Sequence, residues 1–281
     1  MSAAVSVGEG AASAKLLVMR EGGLERCGRS GAGVWAVVVA AGAGSRFGGA
    51  KQFSPLGGRS VLDWVVQASA RWCVGVVVVA PPSHAEGAGA WRPADRADDP
   101  DDVVVVVAGG ARRSDSVRCG LSRVPEDAEI ILVHDGARPL ADDGVFERVI
   151  AAVRDGADAA VPVIDVTDTL RWREGVAADR SQLVAVQTPQ AFRADVLRAA
   201  HAGDSDATDD ATLAEAAGAT VTTVAGDPRN LKITEAHDLA TAEALLAETA
   251  SGSRSDAAPG LPRPGKARLL TESASRRRGD D

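Results

Sequence analysis

Short runs of β-branched residues alternate along the chain with stretches whose apolar residues recur at helical spacing. Several runs are apolar at nearly every position, which is typical of strands buried on both faces of a mainly parallel sheet. The pattern predicts strands at residues 35–40, 74–80, 103–108, 130–134, 157–163, 183–186 and 220–224.

Between these runs the spacing predicts helices at residues 61–71, 114–121, 142–154, 194–202, 209–217 and 235–248. Because strands and helices alternate, the fold is predicted to be α/β, a three-layer αβα sandwich around a Rossmann-like, mostly parallel sheet. Ligands of such folds bind beyond the carboxyl ends of the strands. Functional side chains are therefore expected just after residues 40, 108, 134 and 163.

Charge and composition restrict the function further. The 281 residues carry 31 Lys and Arg against 39 Asp and Glu, a net charge of −8, which argues against binding to nucleic acid, because phosphate-backbone binders usually present a basic surface. No run of about 18 apolar residues indicates a membrane span, and residues 16–19 are too short an apolar run for a signal peptide. Three cysteines without a CxxC pair argue against a disulfide framework. A cytoplasmic protein is expected.

Both ends of the chain differ from the middle. Residues 1–33 are rich in Gly, Ala and Ser, and residues 251–281 are rich in Gly, Ser, Pro and Arg with few large apolar residues. Such segments bury too little surface to offset the entropy of ordering. They are expected to be disordered extensions of one folded domain at residues 34–250.

The segment after the first predicted strand is rich in glycine and carries Arg46 and Lys51. Glycines let backbone N–H groups approach phosphate oxygens, and the two cations add charge at short range. The dinucleotide fingerprint does not fit, because Phe47 stands where its third glycine is required. The P-loop does not fit either, because Lys51 follows Ala50 and precedes Gln52. The segment predicts a triphosphate-binding loop of another type.

Polar clusters follow the later strands as well. Gly110, Arg113 and Ser116 follow the third predicted strand, and Asp135 and Arg138 follow the fourth. Each cluster alone has an ordinary structural explanation, such as a helix cap or an ion pair, but their shared position at strand ends favours a site. The histidines lack metal-site spacing, and no nucleophile with a neighbouring base is evident. Direct transfer between two bound substrates is therefore favoured over a covalent intermediate.

The order of these segments resembles the 2-C-methyl-D-erythritol 4-phosphate cytidylyltransferase family over residues 34–246. The blocks that carry the resemblance are Ala40-Ala41-Gly42-x-Gly44-x-Arg46, Lys51-Gln52-Phe53, Gly109-Gly110, Arg113, Asp115-Ser116-Val117, His134-Asp135-x-Ala137-Arg138-Pro139, Asp168-Thr169, Thr188-Pro189-Gln190, Thr208-Asp209-Asp210-Ala211 and Asn230-x-Lys232-x-Thr234.

The resemblance implies a nucleotidyltransferase of non-mevalonate isoprenoid biosynthesis. Its substrates would be CTP and methylerythritol phosphate, and its products the cytidine diphosphate derivative and pyrophosphate. It also implies Mg²⁺, bound mainly to the CTP phosphates with Asp135 as a further ligand. The family works as a homodimer in which an extended arm, here residues 169–183, helps to complete the partner's site. Neither nucleic acid nor a membrane is an expected partner.

The family's residue roles carry over to matching positions. Arg46 and Lys51 would stabilise charge on the α-phosphate, while Lys232 and Arg180 would hold the methylerythritol phosphate, Arg180 from across the dimer interface. Two positions depart from the family, since Ala50 replaces the usual proline and Ala111 stands where some members have an acid. The other implied substrate-binding residues are Ala41, Gly42, Ala43, Gly44, Gly110, Arg113, Ser116, Asp135, Arg138, Thr169, Thr188 and Thr208.

Two other functions remain open at the level of the sequence. One is another sugar- or polyol-phosphate nucleotidyltransferase, such as a ribitol-phosphate cytidylyltransferase, whose loops would be of similar design. The other is a non-catalytic nucleotide-binding protein, although the presence of Arg46, Lys51 and Lys232 together argues against it.

Overall fold

The computed structural model describes residues 33–86, 90–93 and 103–250. The predicted terminal extensions lie outside these residues, apart from residue 33. Within the described residues, no helix is both long enough and apolar enough to cross a membrane.

The described residues form an eight-stranded sheet and a separate two-stranded hairpin. In chain order the strands are β1 (Val34–Val39), β2 (Pro55–Leu56), β3 (Arg59–Ser60), β4 (Gly75–Ala80), β5 (Val103–Ala108), β6 (Ile130–Asp135), β7 (Ala159–Asp165), β8 (Val184–Val186), β9 (Gln190–Arg193) and β10 (Val221–Ala225).

Helices lie between most of these strands, as the alternating pattern predicts. Several of the helices begin with a polar capping residue. Ser60 and Asp63 form a capping box at the first helix, and Asp142 accepts a hydrogen bond from the Val145 N–H at the fourth. The helices are α1 (Val61–Ala70), α2 (Pro82–Ala85), α3 (Arg113–Leu121), α4 (Asp143–Arg154), α5 (Ala194–Ala200), α6 (Asp210–Ala216) and α7 (Ala236–Ala250), with 3₁₀ turns at Lys51–Phe53 and Arg180–Gln182.

The large sheet has the strand order β10-β7-β9-β6-β1-β4-β5, with β8 paired to β7. β1 runs parallel to β4 and β6, and the β4–β5 and β7–β10 pairs are parallel too. β8 and β9 are antiparallel to their neighbours. The predicted mostly parallel α/β sheet is therefore confirmed. β9 is not predicted from the sequence, because its four residues contain only two apolar side chains, Ala191 and Phe192.

Alternate residues of β1 enter two separate hydrophobic cores. Ala36 and Val38 belong to the core that contains residues of α1 and α4. Val37 belongs to the core that contains residues of α3, α5 and α6. The sheet thus lies between two helical layers, and the predicted three-layer sandwich is confirmed.

The register of the central strands brings the predicted functional segments to one edge. Val39 pairs with Val79 on one side and with Asp135 on the other, and Ala80 pairs with Ala108. The segments that follow β1, β5 and β6 consequently leave the same end of the sheet, close to one another.

The predicted arm, residues 169–183, is largely exposed. It contains an antiparallel bridge between Arg171 and Ala177, and the Trp172 N–H donates to the Val176 carbonyl at 2.8 Å. The side chains of Trp172 and Val176 are 62% and 65% exposed. The arm therefore projects apolar surface away from both cores.

Candidate functional site

A cleft with a volume of about 440 Å³ opens at the carboxyl ends of the central strands. Its size suits a small organic ligand. The walls come from the segments that follow β1, β5 and β6 and from the segment that precedes α7. The lining includes many of the predicted site residues, namely Ala41, Gly42, Ala43, Gly44, Arg46, Lys51, Gly110, Arg113, Ser116, Asp135 and Lys232.

Residues 40–50, here called the glycine loop, fold back on the carbonyl of Gly44. The N–H groups of residues 47–49 donate to that oxygen at 2.9, 3.0 and 3.3 Å. Gly44 has a φ of +64°, and a Cβ there would collide with the carbonyl oxygen of Gly49, so only glycine fits. Among the described residues, none accepts a hydrogen bond from the N–H groups of residues 41–46. These donors are available to an anionic ligand.

Gln52 holds the glycine loop against the sheet. Its buried side-chain amide donates to the Ala40 carbonyl at 2.6 Å and to the Gly42 carbonyl at 3.3 Å. From the sequence, Gln52 is only one residue of the family pattern and has no predicted role. The sequence carries no signal for this role, because the burial that requires the amide to find hydrogen-bond partners is visible only in the fold.

Three cations line the cleft around this loop: Arg46, Lys51 and Lys232. Partial burial, together with the positive charges of Lys232 and Arg46, lowers the pKa of the Lys51 ammonium. Burial and the two neighbouring positive charges thus disfavour the charged form of Lys51. A polyanionic ligand would relieve this repulsion.

Asp135 is the carboxylate of the cleft, at the end of β6. Its Oδ2 lies 2.8 Å from Lys232 Nζ and 3.4 Å from Arg138 Nε. Burial alone would raise the pKa of Asp135, but the charges of Lys232, Arg113 and Arg138 outweigh burial and hold that pKa well below its usual range. The carboxylate is therefore ionised and fixes the position of the Lys232 ammonium.

A buried polar network lies behind Asp135. The Thr188 hydroxyl accepts a hydrogen bond from the Asp135 N–H at 3.0 Å and contacts His134 Nδ1 at 2.8 Å. The Asn230 side chain donates to the Thr188 carbonyl at 2.9 Å, and the main-chain carbonyl of Asn230 accepts a hydrogen bond from Arg138 at 2.7 Å. The network joins the segment after β6 to the segment that carries Lys232.

The second loop, after β5, packs directly on the glycine loop. A Cβ on Gly109 would collide with Cβ of Ala41 and lie 2.9 Å from the hydroxyl oxygen of Ser116. That hydroxyl accepts a hydrogen bond from the Gly110 N–H at 3.2 Å and donates to the Arg112 carbonyl at 3.1 Å. Ser116 thereby fixes the main chain at the start of α3.

Two arginines follow this loop. Arg113 pairs with Asp210 at 2.7 Å. Arg112 binds the Asp115 carboxylate through Nε and Nη2, at 3.1 and 2.9 Å, and also pairs with Asp204. Arg112 lines the cleft although the sequence analysis gives it no role. The same holds for Thr234 at the entrance to α7.

The other predicted site residues lie away from the cleft lining of the described chain. Arg138 and Thr188 are part of the network behind Asp135. Thr169, Arg180 and Thr208 are exposed, and the Arg180 guanidinium donates to the Thr167 carbonyl within the same arm.

The segments that build the cleft lie within a match to a family model. Residues 34–248 match the model of 2-C-methyl-D-erythritol 4-phosphate cytidylyltransferase, IspD. The glycine loop, the second loop, Asp135 and Lys232 all fall within the matched residues. The segments that build the cleft thus belong to the part of the chain that resembles this family.

Individual proteins match over the same region. The 2-C-methyl-D-erythritol 4-phosphate cytidylyltransferase of Nocardia farcinica is 44% identical over 222 residues, which are 76% of this chain and 94% of that protein. The bifunctional enzyme IspD/IspF of Solidesulfovibrio magneticus is 42% identical over 233 residues, 78% of this chain but only 57% of that enzyme. The crystal structure of the cytidylyltransferase from Thermus thermophilus is 37% identical with a TM-score of 0.63, covering 75% of this chain and 98% of that chain.

The buried His134 predicts a pH dependence of stability. Burial lowers its pKa from 6.5 to about 3, so the folded state resists a proton that the unfolded chain accepts. Stability from this group is complete above about pH 6.5 and is lost as the pH falls toward 3, with a slope of about 1.4 kcal/mol per unit. Urea unfolding of His134→Asn at several pH values should show a smaller slope than wild type.

The matched control for that experiment is His237→Asn, because the His237 side chain is 75% exposed. This control should keep the wild-type slope. Identical slopes for His134→Asn and wild type would contradict a neutral, buried His134.

Proposed function

The chain belongs to the 2-C-methyl-D-erythritol 4-phosphate cytidylyltransferase family, and from this we propose that it transfers the cytidylyl group of CTP to 2-C-methyl-D-erythritol 4-phosphate. The products are 4-diphosphocytidyl-2-C-methyl-D-erythritol and pyrophosphate. The reaction is a step of non-mevalonate isoprenoid biosynthesis.

The proposal is supported above all by the charge of the cleft. The glycine loop, whose N–H groups at residues 41–46 have no acceptor among the described residues, lines the same cleft as Arg46, Lys51 and Lys232, while the Asp135 carboxylate is already paired with Lys232. Such a site favours a polyphosphate over a neutral or cationic ligand.

The transfer needs little from the protein beyond position and charge. A phosphate oxygen of the acceptor attacks the α-phosphorus of CTP, a new P–O bond forms, and the bond from the α-phosphorus to the bridging oxygen of the leaving pyrophosphate breaks. Negative charge builds up around the α-phosphorus. Arg46 and Lys51 stabilise that charge, as preorganised donors do in related transfers.

The two substrates occupy different walls of the cleft. The nucleotide binds along Ala41 to Gly44 and the second loop with Gly110, Arg113 and Ser116. Lys232, held by Asp135, directs the acceptor phosphate toward the α-phosphorus, and Arg138 and Thr188 support Asp135 from behind. Thr208 contributes to the acceptor pocket. Thr169 and Arg180 belong to the arm, and the arm of a second subunit completes the pocket when it lies against it.

Mg²⁺ fits this site as an ion carried by the nucleotide. Within the described residues, no three His, Cys, Asp or Glu side chains group together to hold a metal, and Mg²⁺ commonly binds through substrate phosphates, water and one or two carboxylates. Asp135 would be its protein ligand. The bound ion would neutralise phosphate charge.

The direct test measures pyrophosphate release from CTP with each candidate acceptor. We expect turnover with 2-C-methyl-D-erythritol 4-phosphate and at least about 100-fold lower kcat/KM with ribitol 5-phosphate, because a site built for one polyol phosphate leaves polar groups unpaired with another. Faster turnover with ribitol phosphate would reassign the acceptor. Tight CTP binding without turnover on any acceptor would contradict an enzymatic role.

Lys51→Ala should lower kcat by about 100-fold or more, because the variant loses a cation that stabilises the transition state. Its thermal midpoint should stay within about 2 °C of wild type, since Lys51 is repelled by neighbouring cations. Arg71→Ala, which removes a surface ion pair with Asp143, is the control and should keep full activity. Near-normal turnover of Lys51→Ala would rule out the assigned role.

Arg180→Ala should raise KM for the acceptor by about tenfold, a loss of about 1.4 kcal/mol, while KM for CTP stays close to wild type. If Arg180 acts across a dimer interface, mixing this variant with Lys51→Ala restores activity, because hybrid dimers contain one intact site. A mixture no more active than its parts would place Arg180 in its own subunit's site or outside the site.

A further inference from the structure

The carboxylate of Asp210 is completely buried at the start of α6, beside the cleft wall. Its Oδ2 lies 2.7 Å from Nη1 of Arg113, and its Oδ1 lies 3.0 Å from Nε2 of the buried His201. A buried carboxylate is costly unless it is paired. The three side chains therefore form one unit in which His201 orients Asp210 and Asp210 binds Arg113.

Arg113 extends from this buried unit to the cleft. Its side chain is 26% exposed and lines the cleft. The contact with Asp210 is an ion pair. No other ion pair of the guanidinium is seen within the described residues, so N–H groups of Arg113 are available to a ligand. Arginine suits phosphate because its planar fork can make two parallel hydrogen bonds, but only when the fork is held in the correct orientation.

The attachment of α3 to the segment before α6 does not depend on Asp210 alone. Arg112 and Arg118 both pair with Asp204 on that segment, and Arg118 donates to the Gly203 carbonyl at 3.2 Å. These contacts are exposed and reach the same two parts of the chain. The particular contribution of Asp210 is to fix the position of the Arg113 guanidinium.

We propose that Asp210, itself oriented by His201, is a positioning residue that aims the Arg113 guanidinium at the phosphates of the bound nucleotide. This inference rests on the proposed function, because it assumes that CTP occupies the cleft. Asp210 touches no substrate and acts only through Arg113.

The experiment is a double-mutant cycle on CTP affinity, measured by calorimetry with Mg²⁺ present, for wild type, Asp210→Asn, Arg113→Met and the double variant. Asp210→Asn should weaken CTP binding by about tenfold, and Arg113→Met by at least as much. The double variant should bind CTP within about twofold of Arg113→Met, because Asp210 has no effect once Arg113 is gone.

Thermal stability should change differently from CTP affinity, because the double variant should be more stable than Arg113→Met. Arg113→Met leaves the buried Asp210 carboxylate in contact with His201 but without its arginine partner, and it should lower the thermal midpoint. Adding Asp210→Asn removes that charge and should restore part of the loss without restoring affinity. A merely structural ion pair would instead move stability and leave CTP affinity unchanged.

Two further variants make the result decisive. His201→Gln removes the imidazole that contacts Asp210 but keeps the carboxylate, and it should weaken CTP binding by about threefold. If Asp210→Asn does not fold, the CTP affinity of His201→Gln tests the inference in its place. Asp204→Asn, at the exposed contact between the same segments, should bind CTP within about twofold of wild type.

Wild-type affinity in Asp210→Asn or His201→Gln would overturn the inference, and so would effects of Asp210→Asn and Arg113→Met that multiply in the double variant. Wild-type protein that binds no CTP would overturn the proposed function and the inference together. Loss of CTP binding in the wild type thus marks failure of the proposed function, whereas unchanged affinity in the variants marks failure of the inference alone.

Discussion

Repulsion among positive charges in one small cleft is the constraint on which the rest of the site depends. Lys51, Lys232 and Arg46 line the same cleft, and burial together with the two neighbouring charges makes it harder for Lys51 to keep its proton. The surrounding chain is acidic overall, with a net charge of −8, so the cleft is a local exception. Asp135 relieves part of the repulsion by pairing with Lys232. The positive charge that remains makes the cleft favour an anion.

The sheet is what holds these charges together. Parallel strands end at the same edge, so residues distant in sequence meet there without long connecting loops. Buried amides and hydroxyls then fix the main chain around the charges, as Gln52 does for the glycine loop and Ser116 for the second loop. Rigid support of this kind is required because catalysis by charge depends on donors that are already in place.

Much of the fold could be predicted from the sequence, because valine-rich strands and capped helices carry strong local signals. The strands around Val34–Val39 and Val103–Ala108 are examples. β9 could not be predicted, since it is set by pairing with β6 and β7 rather than by its own four residues. Arg46 and Lys51 follow from the composition of the segment after β1, whereas the role of Lys232 is implied only by the family resemblance. The Arg113–Asp210 contact does not follow from the sequence, because the two residues are 97 positions apart and only the fold brings them together.

The close contact at Gly109 means that the glycine loop and the second loop constrain each other's sequence. With Cβ of Ala41 and the Ser116 hydroxyl filling the space that a side chain there would need, neither loop can accept a bulkier residue at the contact independently. Any substitution in the glycine loop at this contact must therefore be compensated in the second loop. Attempts to graft one loop from a relative should transplant both.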